Sequence, residues 1–372
     1  MNIVTPILIS IFFFGCNSQK KPKEKTMKNK NISFYVGTYT TKESKGIYTY
    51  SLSSKGELKK IGLVAKTENP SFLARTKDNK TLLAVNEIDD SGTGMVTAFT
   101  IEQDSLKLIN SQKSGGAHPC FITVDKKRYV LVANYTGGTI GLLQTDSNGK
   151  LSELLDIQQH TGKGTTERQE APHAHSTWFH PTKNEIISID LGTNQLWFST
   201  IDLIENKLVF SKSKTLNMAL GAGPRHLEFH PNNKWIYVLN ELNNTISLVK
   251  ATENSYYIDT TISTLPNNFT EFSNSADIHI SNDGKFLYAS NRGHNSIVIY
   301  QIDQNNGHLI VVDFQSTLGE NPRNFSLSPD NQYLLVANQD SDTIISFKRN
   351  PVTGKLHFVS KINAPTPVCI LF

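Results

Sequence analysis

The sequence predicts an all-β fold, a seven-bladed β-propeller with four antiparallel strands per blade and a ring closed by the C-terminal strand. Three observations predict it. A phrase of about fifty residues recurs along the chain, for example Asn69-Pro70-Ser71 … Leu82-Leu83-Ala84-Val85-Asn86, Gly223-Pro224-Arg225 … Tyr237-Val238-Leu239-Asn240 and Asn321-Pro322-Arg323 … Leu334-Leu335-Val336-Ala337-Asn338. Each copy divides into four short apolar runs separated by Asp/Asn/Gly hairpin turns, and four-stranded units at this period are propeller blades. The two ends of the chain are complementary. The first unit lacks its first strand, and the last six residues, Pro367 to Phe372, read as a lone first strand.

Residues 1–30 stand apart from a single propeller domain at 31–372. They hold six lysines and one glutamate, so they carry +5 of a net +4 and leave the rest of the chain at −1. A basic tail on a neutral body excludes a nucleic-acid-binding surface as the expectation. Ile3 to Phe14 is apolar, too short to span a membrane and suited to a signal-peptide core. It ends at Gly15-Cys16 and resembles a bacterial lipoprotein signal, in which Cys16 is lipidated and becomes the mature N-terminus. The run departs from that pattern in having no Lys or Arg in Met1-Asn2 and Phe13 in place of leucine. The expectation is a cell-envelope lipoprotein, periplasmic or on the outer membrane, attached through Cys16. Translation from Met27 would instead leave the protein in the cytoplasm.

Within the propeller, the Asn or Asp that closes each second strand falls at Asn86, Asn134, Asp190, Asn240, Asn291 and Asn338, with gaps of 48, 56, 50, 51 and 47. One step back reaches Gly37 in Phe34-Tyr35-Val36-Gly37-Thr38, which makes seven units. Call the strands of a unit A to D. A follows the Pro-containing phrase, B is the run ending in Asn, and C alternates, as in Ile297 to Ile302. D closes the unit, as in Leu309 to Asp313. If Pro367 to Phe372 supplies strand A of the first unit, the ring closes without an open edge. Cys120 and Cys369 fall in apolar strands of separate units and read as buried small residues, not a disulfide.

Strand A starts on the face where strand B ends, so these positions surround one mouth of the central channel. The starts of A are Ser71, Cys120, His175, Arg225, Ala276, Arg323 and Val368. The ends of B are Thr38, Glu87, Tyr135, Leu191, Glu241, Arg292 and Gln339. A purely structural repeat would place similar residues in each column. Instead His175, Arg225, Glu241 and Arg292 come from three consecutive units, with Arg323, Glu87 and Tyr135 further round. The longest spacing adds a polar segment, Asp156 to Pro172, on the same face, containing Arg168 and leading into His173-Ala174-His175. Charged groups of both signs converging on one concavity indicate a site. His180 and His230 precede prolines at A–B turns on the opposite face and read as turn residues.

No G-x-S-x-G elbow, P-loop or dinucleotide fingerprint occurs, which argues against a serine nucleophile and against nucleotide cofactors. His173-Ala174-His175 is a weak metal pattern without further ligands at suitable spacing. Neither metal nor cofactor is expected, and the chain is expected to be a monomer.

The phrases Tyr35-Val36-Gly37-Thr38-Tyr39-Thr40, Arg168-Gln169-Glu170-Ala171-Pro172-His173-Ala174-His175, Gly221-Ala222-Gly223-Pro224-Arg225-His226 and Leu239-Asn240-Glu241-Leu242-Asn243 resemble the propeller-type 6-phosphogluconolactonase family. That family also includes fungal carboxy-muconate cyclases. The resemblance runs from about residue 32 to the end. It implies a seven-bladed propeller acting on a small sugar lactone, with His175, Arg225, Glu241 and Arg292 as catalytic residues. His173, Arg168, His226, Arg323, Glu87 and Tyr135 are the expected substrate contacts. The expected reaction is hydrolysis of a sugar δ-lactone, 6-phosphogluconolactone first, to the aldonic acid. Glu241 would act as general base, Arg225 and Arg292 would hold the oxyanion or a substrate anion, and His175 would orient the lactone or protonate the leaving oxygen. A muconate-type cyclase and a surface-anchored carbohydrate- or protein-binding propeller are the alternatives.

Overall fold

The computed structural model describes residues 1, 3, 31–103, 105–211 and 215–372, so Cys16, the expected lipidation site, lies outside the described residues. Seven antiparallel sheets stand around a central axis in the order A–B–C–D from axis to rim. Six have four strands, and the fourth sheet gains a short fifth, Leu216–Asn217, against Gln195–Asp202. Blades are numbered from the N-terminus. In blade 1 the inner strand is Pro367–Leu371, paired with Ile32–Thr38, so the C-terminal strand closes the ring as expected.

The repeat has a local cause. At the end of strand B in blades 2, 3, 6 and 7 the Asn side chain reaches across to the connection that enters its own blade. Asn86 donates to Glu68 O and Thr67 Oγ1, Asn134 to Ser114 O, Asn291 to Thr264 O and Asn338 to Thr317 O. The bonds to Ser114, Thr264 and Thr317 satisfy buried carbonyls at the blade entrances. The opposite ends are tight hairpins. Ser281 donates to Asp283 and Ser328 to Asp330, and Asn79, Asn233 and Asn331 take positive φ there. His180 and His230 accept from turn backbone N–H groups, in agreement with the sequence reading. Cys120 and Cys369 are buried and unbonded to each other.

Apolar side chains pack between blades rather than within them. The described residues form seven hydrophobic clusters, one at each junction of neighbouring blades. The junction of blades 7 and 1 joins Tyr333, Leu335 and Ile344 to Phe34, Val36 and Ile370. Burial at every junction holds the ring as one body, and the closing strand contributes to the clusters on both of its sides through Ile370 and Cys369.

Candidate active site

In six of the seven blades strand A enters the channel through a β-bulge; blade 2 pairs without one. In blade 5, Pro224 pairs with Asn240 and His226 with Leu239, leaving Arg225 unpaired between them. His175, Cys120 and Arg323 are the skipped residues in blades 4, 3 and 7. A bulge breaks the two-residue alternation and re-aims a side chain. Consecutive residues such as Arg225 and His226 therefore both reach the channel. Gly223, at φ +61°, makes the approach possible, since a Cβ there would meet Leu242 at 2.4 Å.

Glu241, at the end of strand B in blade 5, is the centre of the mouth. Its Oε2 lies 3.0 Å from Arg225 Nε and 3.1 Å from Arg292 Nη2, and its Oε1 lies 3.0 Å from Arg168 Nη2. His175 Nε2 stands 4.0 Å from Oε2. The four residues expected to be catalytic thus share one cluster. Burial alone would raise the Glu241 pKa, but Arg292, Arg225 and Arg168 overcome it and hold the carboxyl at about 2. An anion so stabilised is a weak proton acceptor. The general-base role expected for Glu241 fits this environment less well than an electrostatic one. Burial, then Arg225 and His226, push His175 well below its ordinary value, so its imidazole is neutral at pH 7. Burial and Arg292 bring Arg225 down to about 10, still charged at neutral pH.

The extended segment is shorter than expected from the sequence, because Asp156–Gln159 forms strand D of blade 3. The remainder, from His160, arches over the mouth and is pinned at its base. His160 Nδ1 donates to Asp190 Oδ2 at 2.7 Å, and Asp190 Oδ1 accepts from His173 N. Gln169 is buried and donates to Leu191 O. Arg168 projects inward beside it, donating to Tyr135 Oη at 2.9 Å as well as to Glu241, with its side chain 47% exposed. Tyr135 stacks on His173 at 4.5 Å, and His173 Nδ1 donates to Tyr135 O.

Across the mouth, Tyr39 donates to both oxygens of Glu87, and the Arg323 guanidinium lies 5.4 Å over the Tyr39 ring. Burial lowers the Arg323 pKa, but Tyr39 and Glu87 more than restore it. Tyr39 carried no role in the sequence reading. Its position one residue beyond Thr38 in the B-end column was the available signal.

His226 departs from its expected place among substrate contacts. It lies beneath Arg225, buried, with Nδ1 2.9 Å from Asp277 Oδ1. Phe121 and Phe72 meet it edge-on, with ring centroids at 5.5 and 6.0 Å, and these three rings floor the mouth. The space left at this level is about 10 Å³, room for one water at most. A larger cavity of about 590 Å³ opens on the opposite face, lined by Tyr129, Trp178, Phe179 and Lys183 among others. It holds no comparable convergence of buried charges, so the chemistry is assigned to the mouth.

The family model described as Lactonase, 7-bladed beta-propeller, matches residues 33–372. A 6-phosphogluconolactonase of Bacillus subtilis (strain 168) is 36% identical over 345 residues, covering 91% of this chain and 97% of the relative. A 6-phosphogluconolactonase of Formosa agariphila is 36% identical over 331 residues, 87% of this chain and 94% of the relative. The solved structure of a periplasmic gluconolactonase from Pseudomonas aeruginosa superposes with a TM-score of 0.87 at 28% identity, covering 92% of this chain and 98% of that one.

Proposed function

This chain belongs to the lactonase family of seven-bladed β-propellers and is a lactone hydrolase; we propose that it opens a sugar δ-lactone carrying an anionic substituent, 6-phosphogluconolactone first, to the aldonic acid. The observation that carries the reading is the mouth itself, where three guanidiniums face the single buried carboxylate of Glu241. The surplus positive charge suits an anionic substrate and the oxyanion that forms when water attacks the ring carbonyl.

In this reading Arg225 and Arg292 stabilise the oxyanion. The neutral His175 accepts the proton of the attacking water and returns it to the ring oxygen as the C–O bond breaks. Glu241, 4.0 Å from His175 Nε2, stabilises the imidazolium in between. No covalent intermediate is required, in keeping with lactones that also open slowly in water alone.

A second reading has its own support. The apolar run ending at Gly15-Cys16 and the named location of the Pseudomonas aeruginosa neighbour favour a cell-envelope protein, where the unphosphorylated glucono-δ-lactone is the more accessible substrate. The test is turnover of both lactones by the full chain, with spontaneous hydrolysis subtracted. Arg225→Ala and Glu241→Gln are each expected to lower kcat by roughly a hundredfold or more. Wild-type rates in both variants, or turnover of neither lactone by the wild type, refute the mechanism.

A further inference from the structure

We propose that Asp277 is a positioning residue for this reaction, holding the His226 imidazole as a platform on which the Arg225 guanidinium lies. The proposal rests on the reading of Arg225 as the oxyanion donor. Arg225 Nη1 is 3.2 Å from His226 Nε2 and 3.5 Å from Nδ1. An atom near both ring nitrogens at once lies over the ring, not along either lone pair, so the guanidinium is stacked on the imidazole face. The same Nη1 donates to Ala276 O, and Nε faces Glu241. The ring and these two contacts fix the plane of the group that must meet the developing oxyanion.

Asp277 sets the ring. A carboxylate only accepts, so the 2.9 Å contact places the hydrogen on His226 Nδ1. Four other donors hold the carboxylate: Ile278 N at 3.0 Å, Asn324 Nδ2 at 2.6 Å, Phe325 N at 3.2 Å and His279 Nε2 at 3.3 Å. Beyond His279, Glu228 Oε1 lies 4.0 Å from its Nδ1. Asn324 Oδ1 in turn accepts from Ile370 N of the closing strand at 2.7 Å. The inner strands of blades 5, 6, 7 and 1 are thereby tied in one polar belt under Arg225. Burial and the neighbouring guanidinium bring His226 down to about 4, consistent with a neutral platform that attracts the cation above it.

The experiment uses the full chain and both lactones. In His226→Asn the amide can replace the Nδ1–H toward Asp277, but the ring is lost. Its kcat is expected to fall roughly 10–100-fold with KM within about threefold and a thermal midpoint close to wild type. His226→Phe keeps a flat ring and is expected to retain more kcat than His226→Asn. Asp277→Asn is expected to lower kcat alone by a similar factor. Wild-type kcat in His226→Asn or in folded Asp277→Asn, while Arg225→Ala is inactive, overturns the platform and leaves the lactonase mechanism standing. A fully active Arg225→Ala overturns both. Independently of turnover, ¹⁵N-histidine NMR, with the signal identified by its loss in His226→Asn, is expected to show a neutral, Nδ1-protonated His226 at pH 7. A charged or Nε2-protonated ring overturns the proposal.

Discussion

Arg168 is expected to separate the two candidate substrates. It is the most exposed guanidinium of the mouth and the only one on a loop, and its partner Glu241 already holds Arg225 and Arg292. A substrate phosphate can take over its contacts while Glu241 keeps the other two. Replacing it in Arg168→Gln removes a half-exposed arginine from a buried carboxylate that keeps Arg225 and Arg292, so the stability loss should be about 1 kcal/mol. The loop remains anchored through Gln169 and the His160–Asp190 bond. A charge-assisted contact to phosphate is worth about 1.5–3 kcal/mol, which converts to roughly a 10–150-fold rise in KM for 6-phosphogluconolactone. Glucono-δ-lactone has no phosphate, and its KM should change by less than about threefold. The assay is initial-rate kinetics on both lactones at pH 7 and fixed ionic strength, with an enzyme-free control. Equal changes in KM for the two substrates, or none for the phosphorylated one, would refute the assignment of Arg168 to the phosphate.

Deleting Pro367–Phe372 should unfold the ring: Val368, Cys369 and Ile370 are each at most 5% exposed, and their loss forfeits about 5 kcal/mol, comparable with the whole stability of many domains. An unchanged melting temperature would show that the strand is dispensable. Acid should destabilise the protein in two steps. His226, lowered to about 4, binds fewer protons folded than unfolded, so stability falls as pH drops from 6.5 to 4. Glu241, lowered to about 2, contributes stability above 4.5 that is lost as pH falls toward 2. On the alkaline side burial alone would lower His279, but Asp277 and Glu228 together more than offset it and raise His279 to about 9, so its contribution is present below 6.5 and fades as pH climbs through 9. Thermal midpoints measured from pH 3 to 10 check all three, and a flat profile between 6.5 and 4 counts against a neutral His226. Palmitate labelling of cells expressing the protein is expected to mark the wild type and not Cys16→Ala; equal labelling of the two would argue against the anchor.

The ring, its closure and the mouth columns were legible because each depends on a repeated local solution. The Asn that caps a blade entrance recurs every fifty residues, and the residue that strand A presents at the mouth keeps a constant offset from its turn. The second layer was not legible for the same kind of reason. Strict alternation puts residue 226 on the face opposite 225, and only the bulge brings both inward. Asp277 and Asn324, the next residues in their strands after Ala276 and Arg323, fall on the outward face under strict alternation. The Arg168–Glu241 contact joins residues 73 apart through a loop with no periodic pattern to read. The weak basicity of Glu241 follows from how many guanidiniums converge on one carboxylate, a matter of distance that residue types alone do not convey.

The rings of Phe72, Phe121 and His226 leave little space below the mouth and make it a well rather than a tunnel. In the proposed reaction the product would leave past the same arginines as an open-chain aldonate, bearing one carboxylate more than the lactone. The freed acid and the incoming lactone contend for a single doorway. Competitive inhibition by the acid is therefore expected of the proposed reaction, with flux set by how fast the acid is drawn away.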